Sequence, residues 1–257
     1  MISQGVEVKE NKAQTNGGGI WNSGGSLKVD KAVVKENTAQ NGAGAYVSSG
    51  TVYFENAEIS SNTAINNGGG VLTSGGATYF GTGTSLTDNK AVLGSTCYIG
   101  GDTWFIGGTY NSGNTAAGDY GIYLNISTTS TSKVYMDPEA VTFVDKVFLN
   151  TATSKLYLLK QVPTTGSEGK LPLYLNTDAF EVGSVVVTPA KKASVSIMDT
   201  TYNFPNLQDV EPYVSYFTGG IITPKTQLGG FDKNIILVGE GVYLDGPKGS
   251  AANSGNS

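Results

Sequence analysis

At 257 residues, 36 of them Gly and 14 Tyr, with a formal charge of -5, the chain is long enough for a substantial core and lacks the basic surface that nucleic acid or an anionic membrane demands. It has no His, and all 16 basic residues are Lys, so the imidazole base and the bidentate guanidinium clamp on which most hydrolase, metalloenzyme and phosphoryl-transfer sites depend are missing. Cys97 is the single cysteine, which excludes an internal disulfide; no apolar run is long enough for a membrane helix, and Met1-Ile2-Ser3 does not open a signal peptide.

The first predicted unit contains "NKAQTNGGGIW", and cousins of it return as "NTAQNGAGAYV", "NTAINNGGGVL" and "NKAVLGSTCYI". Alignment on Asn11, Asn37, Asn62, Asn89 and Asn114 gives steps of 26, 25, 27 and 25 residues, a period that marks stacked coils. Two residues after each Asn stands Ala13, Ala39, Ala64, Ala91 or Ala116, and three before it Val8, Val34, Ile59, Leu86 or Asn111. Ten before are Leu27, Val52, Tyr79 and Trp104, and eight before are Val29, Phe54, Gly81 and Ile106, the period-two alternation of strands. Glycines follow the Asn in every copy, from Gly17-Gly18-Gly19 to Gly118 and Gly121, and permit sharp corners between short strands.

Coils of this length with two or three strands predict an all-β fold, a parallel β-helix with rungs roughly 4.8 Å apart. A corner Asn then hydrogen-bonds to the Asn above and below, as amide ladders do in other in-register parallel sheets. A string of antiparallel hairpins would repeat every ~8 to 12 residues instead.

The stretches "ENTAQNGAGAYV" and "SNTAINNGGGVLTSGG" resemble the Asn-Thr-Ala and Gly-Gly-Gly repeats of adhesin-like bacterial and archaeal surface proteins, including the polymorphic outer-membrane group. The likeness covers residues 1 to about 125 and implies a right-handed β-helix, an extracellular cell-surface location and an adhesive or structural role.

From about Ser127 the Asn-Ala register stops, while strand-like runs such as "KVYM", "KVFLN", "KLYLLK" and "NIILVGEGVYL" continue. Residues 1–126 are thus expected to form about five coils, residues 127–240 further coils, a β-rich capping segment or both, and residues 241–257 a linker or the start of a following module. A cap would cover the open strand edges of the stack. Met1 enters a coil midway, which reads as a module excised from a longer tandem protein.

Several positions are candidate sites. Nine residues before the Asn stand Lys28, Tyr53, Phe80 and Phe105; if their neighbours point inward, Tyr53, Phe80 and Phe105 form an outward aromatic face for a sugar ring or a partner protein, whereas a register shift of one would bury them. The next aromatic columns, Ile20, Tyr46, Val71, Tyr98, Tyr123 and Trp21, Val47, Leu72, Ile99, Leu124, are both apolar and leave the inward side open. Glu10 and Glu36 stack beside Lys9 and Lys35, a charge-compensated ridge with too few carboxylates for a metal. Cys97 reads as a small core residue.

Asp137 with Glu139, Asp209 with Glu211, and Asp199 are the carboxylates from which a β-helix glycosidase or lyase would be built, but they lie in turn-like sequence beside Pro. A Thr column at Thr38, Thr63 and Thr115 is interrupted by Lys12 and Lys90, which argues against an ice-binding face. The expected function is a non-enzymatic stalk or adhesion module without cofactor or metal, partnered by a glycan or a host or matrix protein and by neighbouring modules of its own polypeptide, with no nucleic acid and no membrane insertion. The alternative is a carbohydrate-active enzyme or its carbohydrate-binding module.

Overall fold

The computed structural model describes residues 1–113, 120–137, 139–151 and 154–159, and beyond these the strand backbones 173–175, 180–182, 191–197, 200–210, 216–217, 220–224, 236–237 and 242–244. Asn114, Thr115, Ala116, Gly118, Asp199, Glu211 and most of the 241–257 tail lie outside the described residues. The described chain is all-β, a stack of parallel coils.

Each coil contributes a strand to three faces. The first face is a six-stranded parallel sheet of Glu7–Lys9, Val33–Lys35, Glu58–Ser60, Ser85–Thr87, Gly108–Asn111 and Val141–Phe143. The second face begins with the leading halves of Ile20–Asp30 and Ala45–Glu55 and continues through Val71–Thr73, Cys97–Ile99, Ile122–Leu124, Val147–Leu149 and Leu173–Leu175. The third takes the trailing halves of the same two long strands, then Ala77–Phe80, Asp102–Phe105, Val134–Met136 and Leu156–Leu158. A short fourth ladder joins Thr38–Asn41 to Thr63–Asn67 beyond the Asn corner.

Alternation along the strands sends every second side chain into one continuous core. On the first face the inner column is Val8, Val34, Ile59, Leu86, Tyr110 and Phe143, with Tyr110, rather than Asn111, in register with Leu86. On the second face Ile20, Ala45, Val71, Cys97, Ile122 and Val147 point inward together with Val47, Thr73, Ile99, Leu124 and Leu149. Cys97 is fully buried, and its burial, reinforced by the Asp145 carboxylate, pushes the thiol well above its ordinary range. The third face buries Val29, Phe54, Phe80, Phe105 and Met136.

That last column corrects the expected aromatic face. Phe80 and Phe105 are core residues with no exposed surface, stacked on Phe54 and on each other at centroid distances of 5.4 and 5.1 Å and capped edge-on by Tyr110. Tyr53 pairs instead with Tyr79, and Tyr79 with Trp104. The reason lies in the turn after the strand: paired residues Phe54 and Ile59 are five apart, but Phe80 and Leu86 are six. One extra residue around Gly81-Thr82-Gly83 shifts the count back from Asn89, and one extra residue after the first-face strand, where Asn114 stands four beyond Tyr110 but Asn89 three beyond Leu86, shifts the count back from Asn114; in a sheet a one-residue slip exchanges inside for outside.

The last coils end against antiparallel strands. Leu156–Leu158 pairs with Thr200–Val210, and Leu173–Leu175 with Phe180–Val182, so the edges of the third and second faces are covered on the C-terminal side.

Candidate functional site

The most ordered polar feature is the corner after the first face. Glu10, Glu36, Ser61 and Asp88 each adopt a left-handed backbone, φ 54 to 58°, and this sharp bend turns the following Asn inward. Asn11 Nδ2 donates to Asn37 Oδ1 at 2.9 Å, Asn37 to Asn62 at 2.9 Å and Asn62 to Asn89 at 3.0 Å. Each receiving Oδ1 also accepts the backbone N–H of the preceding Asn at 3.0 Å. The second hydrogen on Nδ2 of Asn37, Asn62 and Asn89 goes to the carbonyls of Val8, Val34 and Ile59. All side-chain donors therefore point along the axis in one direction or back to the previous strand, and the three inner Asn residues are fully buried.

The repeated glycines are the other half of this device. A Cβ on Gly19, Gly44 or Gly70 would sit 2.9 to 3.1 Å from Nδ2 of Asn37, Asn62 or Asn89, and closer still to a carbonyl of the next coil. Gly in one coil makes room for Asn in the next. Ala39 and Ala64 form a separate small cluster beyond the corner, flanked by Ala13 and Ala91, where the chain leaves it.

Further along, the corner is held by a residue that the repeat alignment does not pick out. Asp145, nearly fully buried, lies directly against Gly121, the counterpart of Gly70 two coils on. Its Oδ1 accepts the Ser112 N–H at 2.8 Å and the Ser112 hydroxyl at 2.7 Å, and its Oδ2 accepts the Thr96 hydroxyl. The carboxylate thus takes up the acceptor role of the Asn side chains, with one backbone N–H and two hydroxyls as its donors. Its one sequence signal is Gly121 standing immediately before the Ile122 strand, as Gly19, Gly44 and Gly70 stand before theirs.

The outward aromatic column on the third face is Tyr53, Tyr79, Trp104, Tyr135 and Tyr157, with successive centroids 4.9, 4.3, 5.4 and 5.3 Å apart. These rings are half-buried and rest on Ile106 and Leu159, with Lys133 Nζ 5.7 Å over Tyr157. Burial, assisted by Tyr53 and Asp102, pushes the Tyr79 phenol up to about 12. A second outward column on the adjoining face stacks Tyr98 on Tyr123 at 5.5 Å, with Phe148 beyond it. In register with these, toward the N-terminus, are Leu72, Tyr46 and the exposed Trp21. Within a column each ring covers its neighbour's π face, so the solvent side presents ring edges and hydroxyls rather than the flat platform that sugar stacking uses.

The other sequence candidates are dispersed. Asp137 accepts the Glu139 N–H at 3.0 Å in a local turn, and Asp209 sits on the covering strand Thr200–Val210. Glu7 is held below the usual carboxylate range by hydrogen bonds from Lys9 and Lys35. Thr38 and Thr63 are in register with each other but continue into Lys12 and Lys90. Among the described residues no group of three or more His, Cys, Asp or Glu gathers to hold a metal ion. Scans of this chain against protein-family models, curated proteins and solved structures find no match.

Proposed function

We propose that this chain is a non-enzymatic, extracellular stalk module of a larger repetitive surface protein. The observation that carries the reading is the unbroken axial register: inner columns, the Asn ladder and the outer aromatic columns all run parallel to one axis through successive coils. Six rungs at the usual parallel spacing give a rod roughly 25 Å long. In such a quasi-one-dimensional structure each coil contacts only its neighbours, so length is extended by adding units and tension is carried by ladders of backbone hydrogen bonds.

Labelling of intact producing cells with an antibody to the folded chain tests the location. Signal on unbroken cells supports the stalk, and signal only after lysis contradicts it.

An adhesive role is the second reading, favoured by the half-buried column at Tyr53, Tyr79 and Trp104. Repetition of such a surface along a longer polypeptide would raise avidity without any new contact. Its ligand would meet ring edges, phenol hydroxyls and the indole N–H, which fits a glycan or a matrix protein held by hydrogen bonds along the rod. Selective binding on a glycan and matrix-protein array that is lost in a Tyr79→Ala/Trp104→Ala variant supports adhesion; identical binding by both proteins contradicts that surface.

A further inference from the structure

The two ends of the stack differ. At the C-terminal side antiparallel strands cover the edges of the second and third faces. At the N-terminal side Glu7–Lys9 and Ile20–Asp30 each pair with the coil that follows them and, among the described residues, the single bridge on their outer side is that of Val29 with Ile2.

Several columns change character at this first rung, although Val29, covered by Ile2, stays fully buried. Val34, Ile59 and Leu86 are fully buried, whereas Val8 is partly exposed; Val52 is fully buried, whereas Leu27 is not. Asn37, Asn62 and Asn89 are sealed, while Asn11 is exposed and its Oδ1 receives no donor from the described residues. In Asn37, Asn62 and Asn89 that same oxygen takes two hydrogen bonds from the coil before it. Met1 and Val6 add exposed apolar surface beside this edge. Ile2 meanwhile already occupies the next rung of the third face: its N–H donates to Lys28 O at 2.8 Å, and its carbonyl accepts from the Asp30 N–H at 2.9 Å.

We propose that the N-terminal edge is an extension surface that takes one further coil of the same repeat, carrying Asn at its corner. The hydrogen-bond polarity selects this occupant. Asn11 offers an acceptor, so the coil above must donate both a backbone N–H and an amide N–H there, as Asn37 does to Asn62. It must also carry Gly where Asn37 faces Gly19, to leave room for Asn11. A second copy docking head-to-tail would have to bring an end covered by Thr200–Val210 and Phe180–Val182, and one docking head-to-head would set acceptor against acceptor at the corner. This inference stands independently of where the protein resides or what it binds.

The test adds a copy of residues 33–52 directly before Met1, which places the copied corner over Asn11 and leads into Ile2 in the observed register. Hydrogen–deuterium exchange of Glu7–Lys9 and Ile20–Asp30 is compared in three proteins: the original chain, the extended chain, and an extended chain with the copied Asn changed to Asp, which removes the amide donor. The expected result is at least tenfold slower exchange at both strands in the extended chain, with most of the gain lost in the Asp variant. Unchanged exchange on extension would overturn the proposal, as would equal protection by both extended chains. Dimerisation of the original chain that protects the same amides would also overturn it, by assigning the edge to a second copy.

Discussion

The inner Asn side chains join three coils at once, and their position in the ladder sets what each is worth. Replacing Asn62 by Ala leaves the Asn37 N–H and one Asn37 Nδ2 hydrogen without their acceptor in the core and takes an amide donor from the Val34 carbonyl and from Asn89 Oδ1, which keeps only the Asn62 N–H. At about 1–3 kcal/mol for each buried group left without a partner, partly relieved by local relaxation, the expected loss is about 3 kcal/mol or more in denaturant unfolding. Asn11→Ala, at the exposed end, should cost about 1 kcal/mol or less. Thr78 gives the opposite sign. Its hydroxyl is buried with no hydrogen-bond partner, between Val52 and Thr103 on the inner side of the third face. Thr78→Val keeps the shape and removes the orphaned group, so the midpoint of chemical unfolding should rise by the equivalent of about 1 kcal/mol.

At the scale of strands and turns, the parallel β-helix was legible because the Asn-Ala-Gly set recurs at coil length, and the ladder because Asn occupies one corner. The facing of the third-face aromatics was not. A fixed count from the Asn crosses segments whose length changes by one residue, at Gly81-Thr82-Gly83 for Phe80 and between Tyr110 and Asn114 for Phe105, and nothing in either marks which strand loses phase. Anchoring on the strand itself, with "TVYF", "ATYF" and "DTWF" aligned, recovers the observed pairing of Phe54, Phe80 and Phe105. Asp145 was hidden for a related reason, since a carboxylate replaces the amide and the register around it is shorter. Adjacent residues now separate the two aromatic columns experimentally. Phe105→Ala opens a cavity inside the stacked Phe column and should destabilise by about 3–5 kcal/mol. Trp104→Ala removes a half-buried ring between Tyr79 and Tyr135 and should cost about 1–2 kcal/mol in the same assay.

For the whole molecule, the absence of His leaves the neutral pH range without a titrating imidazole, and the largest proton linkage moves to alkaline pH. Tyr79 is pushed up to about 12, and Tyr98, Tyr110 and Tyr123 are raised as well, in each case mainly by burial. These phenols stay protonated when folded and would ionise near 10 in the unfolded chain, so the unfolded state loses protons first. Their contribution is fully present below about pH 10 and is lost as pH rises towards the folded values. Unfolding midpoints measured from pH 7 to 12 should therefore begin to fall above about pH 8.5, where the unfolded Cys97 thiol ionises while the buried one does not, and fall more steeply above about pH 10 as the phenols join. A fall centred near neutrality would be inconsistent with this assignment. The axial stack depends above all on register, and disulfide trapping reads register directly. With Cys97 replaced by Ala, cysteines at Tyr53 and Tyr79, which are paired across adjacent rungs, should oxidise readily to a disulfide, while cysteines at Tyr53 and Phe80, on opposite sides of the sheet, should remain free. Efficient closure of the second pair with none of the first would contradict the stack described above.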